Sequence, residues 1–244
     1  MIYRIAQSER RMKPVIVFDM NETLLDLSAL DPTFARIFGT TDGAELRMKW
    51  FGTVLELFLT ATITTAYRSF DNLTDDAIQM LAAQQGRVAS ARDRATLRAA
   101  LGKMPAYADV LPGLMRLKQD GFRLALLSNS TQVAAERLLN NAGIRDQFEH
   151  VLSADAVQRF KPAREAYEYA ARALGVGTAD ILLVAAHGWD VAGAMAAGCR
   201  AAFVARPGKV LSPGAAKPQF ESGGLIALAE AIIGAWRGEG LTKQ

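Results

Sequence analysis

The sequence predicts an α/β protein built on a doubly wound parallel sheet, with an inserted all-helical segment. Short apolar runs recur along the chain and end abruptly in polar residues, as expected of strands buried on both faces. Helix-length stretches separate most of these runs, and such alternation is typical of a parallel sheet. One interval, residues 28–103, contains no comparable run and carries only helical patterning. Of the 244 residues, 50% are hydrophobic and 22% are charged, which is enough apolar material for a full core.

Four apolar runs are clear strand candidates, and a fifth, shorter run is a weaker one. In chain order, with the weak candidate third, they span residues 15–18, 123–127, 150–152, 181–184 and 201–204. Three helices are predicted between or after them because apolar residues recur at helical spacing and a glycine then stops each pattern. These helices span residues 131–141, 163–174 and 191–197, and the glycines are Gly143, Gly175 and Gly198.

The interval after the first strand is predicted to be a helical domain. Helical patterning covers residues 45–67, 75–85 and 91–101, and the segment Asp71–Thr74 is predicted to separate the first two helices and to cap the second. Pro105 and the pair Pro112-Gly113 then mark the return to the sheet. We therefore expect an α/β core formed by residues 1–27 and 104–244, and an all-helical domain formed by residues 28–103.

Composition and charge exclude several classes of function. Lys and Arg number 28 against 25 Asp and Glu, and the only dense basic stretch is Glu9–Lys13, so a nucleic-acid partner is not expected. The single cysteine excludes a disulfide framework and indicates a reducing compartment, and with two histidines it leaves too few ligands for structural zinc. No stretch is typical of a signal peptide or a membrane span. We expect a cytoplasmic protein with no membrane partner.

Polar residues at the strand ends nominate a site, because ligands of an open parallel sheet bind beyond the carboxyl ends of its strands. The residues nominated in this way are Asp19, Thr23, Ser128, Asn129, Lys161, His187 and Asp190. Two carboxylates, an ammonium group and several hydroxyl or amide groups would then meet in one crevice. That set suits nucleophilic catalysis by a carboxylate, with a cation to balance its charge and a second acid to handle water.

Each nominated residue also has a purely structural interpretation. Asp190 is placed to cap a helix that begins at Val191, and Thr23 could be a hydroxyl that steadies the loop after the first strand. Ser128 and Asn129 could simply terminate a strand. Trp189 is interpreted as a packing residue, and a structural role is also expected for His150 and Cys199, which no motif supports.

Four segments resemble the ordered motifs of the haloacid dehalogenase superfamily. They are Phe18–Leu24, Leu127–Asn129, Phe160–Pro162 and Trp189-Asp190, and each stands at a predicted strand end or helix start. The resemblance covers most of the chain and includes a helical cap inserted directly after the first motif. It implies a Rossmann-like core, with Asp19 as the nucleophile.

Within that superfamily the motifs are more similar to the metal-independent (S)-2-haloacid dehalogenases than to the phosphatases. Phosphatases carry a second Asp as general acid where this chain has Asn21, and they carry a magnesium-binding acid where it has Ala186. Halide leaves as an anion and needs no proton, so Asn21 is compatible with dehalogenation. Lys161 and Tyr167 keep the spacing of the dehalogenase third motif, and Arg47 matches an arginine that faces the halide. The resemblance therefore implies no metal and no cofactor.

The resemblance also implies a role for each site residue. Catalytic roles fall to Asp19, Lys161, Asp190, Ser128 and Thr23, and Asp190, with His187 beside it, is expected to activate the water that hydrolyses the ester. Substrate-binding roles fall to Met20, Asn21, Arg47, Asn129, Tyr167 and His187. The expected reaction is hydrolytic dehalogenation of a short 2-haloalkanoic acid through an aspartyl ester, with inversion at C2, by an enzyme that forms a homodimer. Two alternatives remain open: a phosphatase-type hydrolase that uses Asp19, and a weakly catalytic small-anion binder, favoured only by Ala185 and His187 at the water site.

Overall fold

The computed structural model describes residues 12–238. Most of the basic stretch Glu9–Lys13 lies outside the described residues, as do the outermost parts of the predicted core domain, residues 1–11 and 239–244. Within residues 12–238, no helix is both long and apolar enough to cross a membrane.

The predicted α/β class and doubly wound sheet are confirmed. Six parallel strands follow the order β3-β2-β1-β4-β5-β6. The strands are β1 (Val15–Phe18), β2 (Leu124–Ser128), β3 (His150–Ser153), β4 (Ile181–Ala185), β5 (Arg200–Val204) and β6 (Phe220–Ser222). In the central register, Val17 lies opposite Ala125 of β2 on one side and Leu183 of β4 on the other.

Nine α-helices lie within residues 12–238, four of them between β1 and residue 102. The helices are α1 (Asp31–Phe38), α2 (Gly43–Ile63), α3 (Phe70–Gln84), α4 (Ala91–Leu101), α5 (Val110–Gln119), α6 (Gln132–Asn141), α7 (Arg164–Leu174), α8 (Gly188–Ala196) and α9 (Leu225–Gly238).

Successive residues of β1 face opposite sides of the sheet and are buried in two different apolar clusters. Ile16 and Phe18 pack in a large cluster that also contains the apolar faces of α1 to α5, whereas Val15 and Val17 pack against the side of α7 and α8. Covering helices on both faces explain why the strands appear in the sequence as continuous apolar runs.

The helical insertion contacts the sheet domain near the carboxyl ends of its strands. Phe58 of α2 lies 5.7 Å from the ring of Phe160 and 5.4 Å from the ring of Trp189, between ring centroids. The backbone N–H of Phe160 also donates to the Thr62 hydroxyl. These contacts bring an apolar helix face next to the motifs that follow β3 and β4.

Two boundary predictions were wrong, and one breaker pair stands inside a helix. The segment Asp71–Thr74 lies inside α3, which begins at Phe70 because the Ser69 hydroxyl caps it, accepting from the backbone N–H of Asn72. Pro112-Gly113 lies inside α5, where proline is tolerated because it stands in the first turn. Asp190 does not cap a helix that begins at Val191, because α8 begins at Gly188, with His187 at the N-cap position.

Candidate active site

The candidate site lies at the point where the strand order reverses. From β1 the sheet extends through β2 to β3 in one direction and through β4 to β6 in the other. The carboxyl ends of β1 and β4 therefore flank a crevice. Asp19 follows β1, while His187 and Asp190 follow β4, so the topology brings these three side chains together.

A buried lysine joins the two aspartates of the site. Lys161 Nζ donates to Asp19 Oδ1 at 2.8 Å and to Asp190 Oδ2 at 2.7 Å. The Lys161 and Asp190 side chains have no exposed surface, and the Asp19 side chain is 8% exposed. Since a buried ammonium is stable only when it is paired, this contact makes the three side chains one electrostatic unit.

Two further side chains fix this unit in place. The Asn129 amide accepts from the Lys161 backbone N–H at 2.8 Å and donates to the Lys161 carbonyl at 3.2 Å. The Tyr167 hydroxyl donates to Asp190 Oδ1 at 2.6 Å, and it is buried behind that carboxylate. Both residues therefore act on the positions of their neighbours, and one N–H of the Asn129 amide is left for a ligand.

Thr23 connects the two central strand ends through one hydroxyl. Its Oγ1 donates to Asp19 Oδ2 at 2.7 Å and accepts from the backbone N–H of Ala186 at 2.9 Å. The hydroxyl thus orients the Asp19 carboxylate and also ties the loop after β1 to the loop after β4.

A second chain of charges begins on the other oxygen of Asp19. His187 Nδ1 lies 3.2 Å from Asp19 Oδ2, and His187 Nε2 lies 3.0 Å from Glu22 Oε2. Glu22 Oε2 also accepts from Lys209 Nζ at 2.5 Å. The imidazole stacks on Trp189 with 5.1 Å between ring centroids, so both of its nitrogens and its face are held.

Burial raises the pKa of the Asp19 carboxyl, but the Lys161 charge and the His187 contact outweigh it and hold that pKa well below its usual range. Burial lowers the pKa of Lys161, and the two aspartates outweigh it, so the net shift is upward. For Asp190, burial and the nearby Asp19 charge together raise the pKa. The resting site therefore holds an ionised Asp19 and a charged Lys161.

His187 is favoured as an imidazolium in the same resting state. Burial alone lowers its pKa, but hydrogen bonds and charge from Asp19 and Glu22 outweigh burial and raise it. Burial raises the pKa of Glu22, and contacts with His187 and Lys209 bring it below the usual value. The two carboxylates therefore favour the charged form of His187, and part of that effect comes from the negative charge of Asp19.

The remaining predicted residues lie around this centre. The Ser128 hydroxyl accepts from the Ser130 backbone N–H at 3.0 Å. The backbone N–H groups of Met20 and Asn21 have no hydrogen-bond partner within the described residues, so they are available to an anion. Arg47 Nε donates to Asp31 at 2.5 Å, and Arg47 Nη1 lies 3.8 Å from Glu22 Oε1.

Three residues that complete the site were not predicted from the sequence. Glu22 stands inside the first motif with a φ of +57°, and only the structure shows its carboxylate turned toward His187. Lys209 and Arg206 follow β5, far along the chain, and Arg206 Nε donates to the Thr23 carbonyl at 3.0 Å. The polar cluster that ends the β5 run was a usable signal for Arg206, but nothing in the sequence indicated that Lys209 pairs with Glu22.

The carboxylates of the site do not fit a divalent cation. Asp19 and Asp190 converge on Lys161, and Glu22 faces His187 and Lys209, so each carboxylate is directed at a cationic side chain. Within the described part of the chain, no three His, Cys, Asp or Glu side chains are grouped as metal ligands. A magnesium ion at this position would have to displace the ammonium group of Lys161.

Comparisons with known proteins identify the family. The sequence model of one protein family, the haloacid dehalogenase-like hydrolases, matches residues 13–198. The (S)-2-haloacid dehalogenase of Pseudomonas sp. (strain YL) is 32% identical over 88% of this chain and 92% of its own. Haloacetate dehalogenase H-2 of Moraxella sp. (strain B) is 29% identical over 89% of this chain and 95% of its own length. The L-2-haloacid dehalogenase of Xanthobacter autotrophicus, solved with chloropropionic acid covalently bound, superposes with a TM-score of 0.85 at 26% identity, over 91% of this chain and 99% of that one. The protein described here is therefore a member of the haloacid dehalogenase-like hydrolase family.

Proposed function

We propose that this protein hydrolyses the carbon–halogen bond of short 2-haloalkanoic acids through an ester on Asp19, without a metal or a cofactor. The observation that carries the proposal is the buried Asp19 carboxylate, held ionised by Lys161, with the His187–Glu22 pair on its second oxygen. The dehalogenase names of the similar proteins support the choice of substrate.

In the first step, the Asp19 carboxylate attacks C2 from the side opposite the halogen. The new C2–O bond forms as the carbon–halogen bond breaks, and the halide leaves with its electron pair, so C2 is inverted. The substrate carboxylate lies on the free N–H groups of Met20 and Asn21 and near Ser128. Arg47 and the spare N–H of Asn129 receive the halide.

In the second step, we assign the general base to His187. Ester formation removes the negative charge of Asp19, so the pKa of His187 falls and the imidazolium loses a proton to solvent. Glu22 then accepts from Nε2–H, which leaves the Nδ1 lone pair beside the Asp19 ester. A water gives one proton to Nδ1 and attacks the ester carbonyl carbon. The bond between that carbon and the C2 oxygen then breaks, and the leaving oxygen takes the proton of the new Asp19 carboxyl group, so the C2–O bond survives in the 2-hydroxy acid. One proton leaves per turnover, so the cycle balances.

Asp190 supports this chemistry through Lys161. Both of its carboxylate oxygens already accept hydrogen bonds, from Lys161 and from Tyr167, so a water has little access to them. We therefore assign Asp190 to hold the Lys161 ammonium against Asp19, and we assign water activation to His187.

The proposal also covers the role of the helical insertion and the oligomeric state of the enzyme. Within residues 12–238, residues 28–103 form a cap and the remaining residues form the core, and Phe58 and Trp50 of the cap exclude water from the crevice. The enzyme acts as a cytoplasmic homodimer.

The direct test is incubation with (S)-2-chloropropanoate, followed by chloride detection and chiral analysis of the lactate. We expect equimolar chloride and (R)-lactate. Retained configuration, or no chloride at substrate concentrations up to tens of millimolar, would contradict the proposal.

Activity is expected to survive chelation. Halide needs no electrophilic metal to leave, and the site carboxylates face cationic side chains. Dialysis against EDTA should leave chloride release unchanged, and added Mg²⁺ should not increase it. Hydrolysis of a phosphate ester that requires Mg²⁺ would instead support the phosphatase alternative.

His187→Ala and Glu22→Gln are expected to slow ester hydrolysis more than ester formation. Loss of one buried hydrogen-bond partner costs about 1–3 kcal/mol, or roughly ten- to a hundred-fold in rate. Mass spectrometry of the peptide containing Asp19 should show the ester accumulating during turnover, while the exposed His150→Ala control should not. If turnover is slowed but no ester accumulates and no burst of halide precedes the steady rate, the pair acts before hydrolysis.

A further inference from the structure

A cavity of about 170 Å³ opens beside the proposed active site, between the cap and the core. Helices α3 and α4 line it together with α6, which contributes Ala134, Arg137 and Leu138. Asn21 and Ser130 also line the cavity, and each lies two residues after a proposed active-site residue, Asp19 and Ser128 respectively. The cavity is therefore adjacent to the loop after β1, which carries Asp19.

Three polar side chains that line this space have atoms or charges without a partner. Asn21 Oδ1 and Arg94 Nε are buried and have no hydrogen-bond partner. Arg137, on α6, makes no ion pair or hydrogen bond with any residue between 12 and 238. Both atoms are covered by protein, so the polar group that a ligand in the cavity would reach is the exposed side chain of Arg137.

The cavity combines an apolar interior with an excess of positive charge. Ile78, Leu97 and Leu138 supply buried apolar surface. Three arginines and two aspartates line the cavity, and Asp75 is already paired with Arg94 at 2.9 Å and with Arg98 at 3.2 Å. Asp71 stands in the first turn of α3, where the helix terminus stabilises its charge. Arg137 is left as the cation that a ligand anion would meet.

The volume sets the size of the ligand. An apolar cavity of about 150 Å³ holds a six-carbon ring, so this one accommodates about six heavy atoms. We propose that it binds the distal part of a 2-halodicarboxylic acid, with the terminal carboxylate on Arg137 and the methylene groups against the apolar interior. The inference rests on the proposed function, which places C2 and the first carboxylate at Asp19. In 2-bromohexanedioate, C3 to C5 and the terminal carboxylate are six heavy atoms.

Binding of unreactive acids tests the cavity without any need for turnover. By calorimetry, wild type should bind hexanedioate about five-fold more tightly than hexanoate, because one charge-assisted contact is added. Arg137→Gln should abolish that preference, and Asp71→Asn should increase it. The control Arg92→Gln removes an equal charge from α4 outside the cavity and should change nothing. Equal binding of the two acids by wild type, or an equal loss in Arg92→Gln, would overturn the inference.

Turnover separates this inference from the proposed function. Arg137→Gln should lower kcat/KM for 2-bromohexanedioate about five-fold and leave 2-bromopropanoate unchanged. If all the bromo acids react but none responds to Arg137, the cavity assignment fails while dehalogenation stands. If none reacts but the hexanedioate preference still depends on Arg137, the cavity assignment stands and dehalogenation fails.

Discussion

Asp19→Asn is expected to lower halide release by roughly 10⁴-fold or more, because an amide cannot form the ester and losses of a nucleophile are of this size. The fold should survive the change. Lys161 keeps Asp190 as its partner, and His187 keeps Glu22, so no buried cation is left unpaired.

The measurements are chloride release on fresh protein and the melting temperature. Mass spectrometry of the Asp19 peptide controls for deamidation back to aspartate. Activity above a trace in protein that remains the amide would show that Asp19 is not the nucleophile.

Lys161→Met should have the largest effect on stability. The substitution keeps most of the length of the side chain but removes the cation that the two buried carboxylates share, so Asp190 has none and Asp19 keeps only His187. Breaking a buried ion pair in this way costs about 3–5 kcal/mol, and the pKa of Asp19 should rise, so activity falls as well. Urea unfolding measures the first effect.

Two variants make this prediction specific. Adding Asp190→Asn to Lys161→Met removes one of the stranded charges and should restore part of the lost stability, since groups in contact are not additive. Lys49→Met breaks an exposed helical pair with Glu45 and should cost less than about 1 kcal/mol. A Lys161→Met variant as stable as wild type would contradict the buried pairing.

The sheet and much of the site were predictable because polar site residues directly follow the apolar runs that form strands. Phe18-Asp19 and Lys161 stand where an apolar run or a helix begins or ends, and parallel topology then brings them together. Strand β6 was not predicted because it is three residues long and contains Glu221. The start of α3 was misplaced because Asp71–Thr74 has the composition of a cap, while Ser69 performs the capping.

Partners that come from distant segments were not predictable. Glu22 looks like an ordinary polar residue of a loop until His187 and Lys209 are seen against it, 165 and 187 residues along the chain. Asn129 was predicted from its motif, but its contacts with the Lys161 backbone depend on how two loops approach each other. Such contacts arise from tertiary packing, which local patterns do not encode.

A single turnover in H₂¹⁸O tests the covalent mechanism most directly. With enzyme in excess over 2-chloropropanoate, each Asp19 reacts once, and water attacks the ester carbonyl carbon rather than C2. We predict unlabelled lactate, with ¹⁸O in the Asp19 peptide by mass spectrometry. Lactate labelled in the first turnover, with no ¹⁸O in that peptide, would show direct attack of water on C2 and would contradict the aspartyl ester.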